Sequence, residues 1–410
     1  MNNDIKTNRM THATITLLKA NGTPLVNQEI TVEQTRHQFL FGTHVFDLIP
    51  LTNGDYTGEE KEKAEKRAEK VKGLFNAGTL PFYWAHFEPE RGKPISDKVK
   101  NAARWCHENN LTTKGHPLCW HTLTADWLLS MSNADILKAQ IDRIHRDVAD
   151  FRGLIDMWDV INEAVIMPVF DKYDNGITRL CKELGRIKTI KTMFDAARET
   201  NPNATLLIND FDVSSAYDIL VEGCLEAGIK FDVIGIQSHM HQGWWGVEKT
   251  LKVLENFERF QLPIHFTETT LVSGHLMPPE IVDLNDYQVA DWSSTPEGEE
   301  RQAREAIQHY ETLFAHPLVE GITWWDSTDG GWLNAPAGLI RKDGSAKPAY
   351  DELMKLIKRD WWISPTRLTT NENGQAHLDC FFGDYTLTCT GRQVSFTVKK
   401  EDASDITVTV

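Results

Sequence analysis

Eight short apolar runs, each followed by a longer helix-like segment, fill the middle of this 410-residue chain and restrict its fold more than any other feature. They lie near 37–43 (HQFLFGT), 79–84 (TLPFYW), 112–120 (TTKGHPLCW) and 157–162 (MWDVIN). The others lie near 205–210 (TLLIND), 231–239 (FDVIGIQSH), 263–268 (PIHFTE) and 321–326 (GITWWD). Continuous apolar runs of this length suit strands buried on both faces, as in a parallel sheet covered by helices. The intervening segments read as those helices. Ile136, Ile141, Ile144, Val148 and Phe151 recur on one face, with Asn133 or Asp135 placed to cap its start. GEEKEKAEKRAEKVKGLF is a solvated charged helix with a thin apolar stripe ending at Leu74 and Phe75. Ser294 or Thr295, then Pro296 and acidic residues, open another. Strands alternating with helices imply an α/β class, and eight of them close a (β/α)8 TIM barrel.

The two ends follow a different period. From Ala13 to about Glu33 the chain alternates, with Asn21-Gly22 as a turn, and from about Trp361 to Val410 the alternation returns, with turns at Asn373-Gly374 and Gly391. Neither end is long enough for its own core. The expectation is a small accessory β-sandwich built from both, with residues 1–36 and 361–410 as its halves and 37–360 as the barrel.

Barrel active sites gather at the carboxyl ends of the strands. Glu163 follows the fourth run and Glu268 ends the seventh, so both carboxylates are expected on that face. Two such groups meet the demands of glycosidic bond cleavage: an acid protonates the departing oxygen, and a carboxylate meets the positive charge at the anomeric carbon. In the retaining form the carboxylate bonds to that carbon, and the two groups stand about 5 to 5.5 Å apart.

A formal charge of −16 disfavours a nucleic-acid partner and is compatible with a neutral carbohydrate. No membrane partner and no cofactor are expected, and the oligomeric state stays open. Thirteen Trp offer flat platforms for apolar sugar faces, although core packing is the common role for any one indole. Cys106, Cys119, Cys181 and Cys224 sit in apolar stretches and read as buried thiols, while Cys380 and Cys389 flank what reads as a hairpin that would permit a cross-strand disulfide. The opening MNNDIKTNRM lacks the pattern of a secretory signal, which implies a cytoplasmic protein if Met1 is the natural start and a secreted one if a signal has been removed.

The motifs resemble glycoside hydrolase family 10, best known for endo-β-1,4-xylanases, over roughly Phe39 to Leu353. KGHPLCWH at 114–121 is similar to K/R-G-H-x-L-x-W-H, and WDVINEA at 158–164 to WDVVNEA. IGIQSHM at 234–240 resembles the family's Q-S-H stretch and FTE at 266–268 its ITE. The resemblance implies Glu163 as acid/base and Glu268 as nucleophile, with Asn162 on the hydroxyl beside the anomeric carbon. It implies His116, Trp120, Gln237 and His239 around the reacting sugar. Trp324 and Trp332 match the spacing of two family tryptophans that roof this subsite, and Tyr83 joins the substrate-binding candidates.

Departures concentrate where the next sugar would bind. The family's E-N-x-M-K-W run after the second strand is here Thr79-Leu80-Pro81-Phe82-Tyr83-Trp84; its glutamine after the W-H pair is Leu123, and its aspartate two residues past the nucleophile is Thr270. A substrate other than xylan is therefore expected. Trp244, Trp245, Phe170 and Tyr173 are further cleft or loop-packing aromatics. Two alternatives stand beside the glycosidase: a sugar-binding barrel without catalysis, and a metal-dependent barrel hydrolase using His116, His121 and the His239-Met240-His241 pair.

Overall fold

A computed structural model describes residues 2–401 and 405–410. The chain opens with a helix, Asn3–Arg9, then β1 (Met10–Leu18) and β2 (Glu29–His37). The barrel strands are β3 (Leu40–His44), β4 (Ala77–Pro81), β5 (Thr112–His116), β6 (Met157–Asn162), β7 (Thr205–Asp210), β8 (Val233–Met240), β9 (Ile264–Leu271) and β10 (Val319–Trp324). The chain ends with β11 (Thr366–Thr369), β12 (Gln375–Phe381), β13 (Gly383–Cys389), β14 (Arg392–Val398) and β15 (Asp405–Thr409).

Strands β3 to β10 form a closed parallel barrel in chain order, β10 pairing back onto β3. Each run identified above supplies one strand, and the helices between them cover it: Gly58–Leu74, Asn133–Asp150 and Pro296–Ala315 fall where the patterns place them. Thr295 caps the last of these, accepting from Gly298 N–H at 3.0 Å. The cap of Asn133–Asp150 is Ser132, whose hydroxyl accepts from Asp135 N–H at 3.2 Å, rather than Asn133 or Asp135. An N-cap side chain must sit one residue before the first helical turn, and Ser132 has the extended backbone for it.

The ends form two facing sheets, β12-β1-β15 and β11-β2-β13-β14, so each sheet joins strands from both termini. Ala13, Ile15 and Leu17 of β1 meet Ile30 and Val32 of β2 and Tyr385 and Leu387 of β13 in one buried cluster. Burial of each large aliphatic side chain there contributes about 1.5–3 kcal/mol. The alternation does not mean a hairpin: β1 and β2 lie in opposite sheets, and so do β12 and β13. That places Cys380 and Cys389 on different sheets as buried free thiols rather than across a hairpin.

The helix Asn3–Arg9 was not expected from the β-like pattern of this end. It packs on the barrel: Ile5 joins the barrel's core cluster, and the Arg9 guanidinium donates to the carbonyls of Phe314, His316 and Val319 at 2.6, 2.5 and 2.6 Å. A cavity of about 300 Å³ lies nearby at the amino ends of the strands, lined by Arg9, His37, Thr112, His265 and Glu320. It is at the opposite end of the barrel from Glu163 and Glu268.

Candidate active site

The strand ends aim the two glutamates by local irregularities. Glu163 follows β6 with φ of 57°, a left-handed conformation that costs a non-glycine residue on the order of 1–3 kcal/mol. Its N–H donates to Asn209 O at 2.8 Å, which anchors the bend to β7. On β9, the register against β8 shifts between Ile236 and Gln237, so that Gln237 faces Glu268. Such a shift re-aims side chains at a barrel rim.

One hydrogen-bond network joins the pair. Trp120 Nε1 donates to Glu163 Oε2 at 2.8 Å, while Asn162 Nδ2 and Gln237 Nε2 donate to Oε1 at 3.2 and 3.3 Å. Gln237 Nε2 also donates to Asn162 Oδ1 at 3.1 Å, and Asn209 Nδ2 donates both to Asn162 Oδ1 at 2.8 Å and to Glu268 Oε1 at 2.9 Å. His239 Nε2 lies 3.1 Å from Glu268 Oε2, and its Nδ1 lies 2.8 Å from Thr270 Oγ1. In the neutral imidazole the Nε2 proton faces the carboxylate and Nδ1 accepts from the Thr270 hydroxyl.

The environments drive the carboxyls apart. Glu163 is pushed up to about 8, first by burial and then by the charges of Glu268 and Asp210, against the lowering effect of Trp120's hydrogen bond. Burial also works to raise Glu268, but His116, the hydrogen bond and charge of His239, and Lys114 outweigh it and hold Glu268 below the ordinary carboxylate range. A pair displaced in this way has one proton-bearing member and one ionised member near neutral pH.

His116 reaches the site through a buried ion network. Its Nδ1 is 2.7 Å from Asp159 Oδ2, Lys114 Nζ is 2.7 Å from the same oxygen, and His116 Nε2 is 3.8 Å from Glu268 Oε1. Gly115 between them is required by space: a Cβ there would lie 2.2 Å from Trp158 Cζ3, so the K-G-H and W-D-V motifs interlock. Tyr83 packs over this corner, with ring centroids 5.7 Å from His116 and 5.6 Å from Trp120.

The structure brings together Glu163, Glu268, His116, Trp120, Asn162, Gln237, His239 and Tyr83. It does not bring Trp324. That indole is fully buried, donates to Ala337 O at 2.9 Å and lies 6.5 Å from Tyr310 on the covering helix. The period-two alternation of β10 sends Trp324 outward and its neighbour Trp325 over the barrel mouth, 5.1 Å from His116 and 6.2 Å from His239. Trp332 does flank the site, 4.7 Å from His239, with Nε1 donating to Asn285 Oδ1 at 3.0 Å.

Asn209, Asp210, Asp159, Lys114 and Trp325 also belong to this region and were not singled out. The signal for Asn209 and Asp210 was their place at the end of the fifth run. Asp210 is buried and pushed up to about 7 by that burial, against the N–H groups of Asp212 and Val165. Of the loop aromatics, Phe170 packs on His121 at 4.5 Å and Trp244 against His309, while Tyr173 is exposed. His241 is buried against Trp292 and Trp332. Among the described residues, no group of three or more His, Cys, Asp or Glu side chains is arranged to hold a metal ion.

The sequence profile of Glycosyl hydrolase family 10 matches residues 50–356. This chain belongs to that family. It is 24% identical to Endo-1,4-beta-xylanase 1 of Arabidopsis thaliana over 346 residues, 80% of this chain and 32% of the plant protein. With Endo-1,4-beta-xylanase B of Thermotoga neapolitana the identity is 26% over 315 residues, 72% of this chain and 84% of that one. This family 10 chain thus spans about a third of the length of the plant relative, and a similar share of an Endo-1,4-beta-xylanase/feruloyl esterase of Xylanibacter ruminicola. Among solved structures, xylanase 10B from Thermotoga petrophila in complex with xylobiose superposes with a TM-score of 0.63 at 21% identity, covering 79% of this chain and 95% of its own. That likeness concerns the barrel fold.

Proposed function

We propose that this family 10 chain is a retaining glycosidase that hydrolyses a β-linked glycoside or oligosaccharide by double displacement. The observation that carries the proposal is the single hydrogen-bond network that joins Glu163 to Glu268 through Asn162, Gln237 and Asn209 at the carboxyl ends of the strands, and the opposite directions in which their surroundings push the two carboxyls agree with it. Glu268 attacks the anomeric carbon while Glu163 gives its proton to the departing oxygen, leaving a glycosyl ester on Glu268. Glu163, now ionised, takes a proton from an incoming water whose oxygen attacks the same carbon and frees Glu268. His239 and Asn209 hold Glu268 by hydrogen bonds, and Asn162, braced by Gln237 and Asn209, offers its amide to the sugar hydroxyl beside the anomeric carbon.

A carbohydrate ligand is supported by the similar xylanase structure that holds xylobiose. The altered second-strand run, Leu123 and Thr270 favour a substrate that differs from xylan. NMR of the first-formed anomer from an aryl β-glycoside tests the reaction: the β-anomer is expected, and loss of turnover in Glu268→Ala. An α-anomer released first would contradict the proposal.

A further inference from the structure

Beside Glu268, the ends of β3, β4 and β10 bring three aromatic side chains together, Phe46 touching both Tyr83 and Trp325. The Phe46 ring lies 5.8 Å from Tyr83 at 87° and 5.8 Å from Trp325 at 85°, and it stacks on His44 at 4.3 Å. These edge-to-face contacts are favourable arrangements for aromatic pairs and make a rigid group. His44 Nε2 is 3.1 Å from the buried Asp326 Oδ1, which also accepts from Trp332 N–H at 3.3 Å. The support under Phe46 is thus tied across the β3–β10 seam.

Tyr83 continues the wall to the catalytic pair. It packs against His116 and Trp120, the first lying 3.8 Å from Glu268 and the second donating to Glu163 at 2.8 Å. Only one side chain separates its ring from each carboxylate. Burial and the charges of Glu268 and Glu163 push its hydroxyl well above the ordinary phenol value, so it stays a hydrogen-bond donor. That hydroxyl takes no part in the network tying the two glutamates. Trp120, Tyr83, Phe46 and Trp325 therefore form an unbroken run of rings at the barrel mouth beside the two glutamates.

From this wall we infer that the cleft ends one sugar from the scissile bond, so the enzyme removes a single terminal sugar instead of cutting within a chain. The inference rests on the glycosidase reading above and names the substrate class of that site. Tyr83, Phe46 and Trp325 are its specificity-determining residues, and the Tyr83 hydroxyl is the donor to a hydroxyl of that sugar. A saccharide continuing in this direction would have to displace rings that hold one another in place.

The test compares kcat/KM for direct release of 4-nitrophenol from 4-nitrophenyl β-xyloside and β-glucoside with that from the matching xylobioside and cellobioside. Wild type is expected to favour a monoside over its bioside by about tenfold or more. Tyr83→Ala or Phe46→Ala is expected to shrink that preference by about tenfold, with thermal melting run alongside to establish folding. If Tyr83→Ala does not fold, Phe46→Ala and Tyr83→Leu carry the comparison. A wild-type preference for biosides, or folded variants that keep the wild-type ratio, overturns the inference while leaving glycosidase activity intact. No hydrolysis in either series, with Glu268→Ala indistinguishable from wild type, removes the glycosidase reading and the inference together.

Discussion

Asn209 donates to Glu268 Oε1 at 2.9 Å through the amide nitrogen that also donates to Asn162 Oδ1 at 2.8 Å. Its own oxygen accepts from Thr267 Oγ1 at 2.5 Å, and a side chain at Gly235 is excluded because a Cβ would lie 2.5 Å from that oxygen. Asn209 is therefore clamped, and it couples Glu268 to Asn162, the residue beside Glu163. Asn209→Ala is expected to lower kcat/KM by about 10–100-fold, the scale of a hydrogen bond to a charged group. The acidic limb of its pH profile should move upward as Glu268 loses a donor to its charged form. An unmoved limb would assign Asn209 a bracing role only.

In the proposed double displacement the two carboxyls set the activity window. With Glu163 pushed up to about 8 and Glu268 held below the ordinary range, kcat/KM should fall on the alkaline side as Glu163 loses its proton. On the acidic side it should fall only below the usual carboxylate value, as Glu268 gains one. Removing Glu163's side-chain acidity in Glu163→Gln should abolish the alkaline limb in whatever turnover remains with an aryl glycoside whose leaving group needs no proton.

The same shift predicts a pH-dependent stability. A carboxyl raised in the folded state is neutral in both states below its unfolded value of 4.5, and the unfolded chain alone ionises as pH rises from there towards 8. Glu163 therefore withdraws stability across that window. The Tm of Glu163→Gln relative to wild type should rise from pH 5 to pH 8, and a pH-independent difference would contradict the burial account.

Asp159 is held between Lys114 Nζ and His116 Nδ1, each at 2.7 Å, with the side chains of all three almost fully enclosed. Lys114→Met leaves that carboxylate short of a partner and should cost about 3–5 kcal/mol in urea unfolding. Lys114→Arg should recover only part of this, because a planar guanidinium does not fit the geometry of a point charge.

Gly115→Ala places a methyl group 2.2 Å from Trp158, and backbone or indole must move. Overpacking of this kind costs about 1–3 kcal/mol, and His116 moves with it, so kcat/KM should fall as well. Trp158→Leu introduced with Gly115→Ala should restore part of the stability, which thermal melting of the single and double variants would measure.

Much of this was readable from residue order. Eight apolar runs at barrel spacing identify the strands, because burial on both faces leaves a continuous hydrophobic signal. Glu163 and Glu268 stand out because polar residues ending such runs land on one rim. Trp324 misled because two adjacent tryptophans share the same chemistry, and only the pleat of β10 decides that Trp325 faces the site. Pairing between distant strands was also hidden: alternation marks β1, β2, β12 and β13 as strands, but carries nothing about which sheet each joins. Asn209 was missed because its role depends on a neighbour 59 residues away.

The measurement that bears most directly on the central claim is mass spectrometry of the enzyme after reaction with a 2-deoxy-2-fluoro aryl β-glycoside of a sugar that it hydrolyses. Double displacement predicts one glycosyl unit bound as an ester on the peptide containing Glu268, absent in Glu268→Ala and lost again as turnover resumes. A label on any other residue, or unlabelled protein under conditions where the parent glycoside is hydrolysed, would contradict the account.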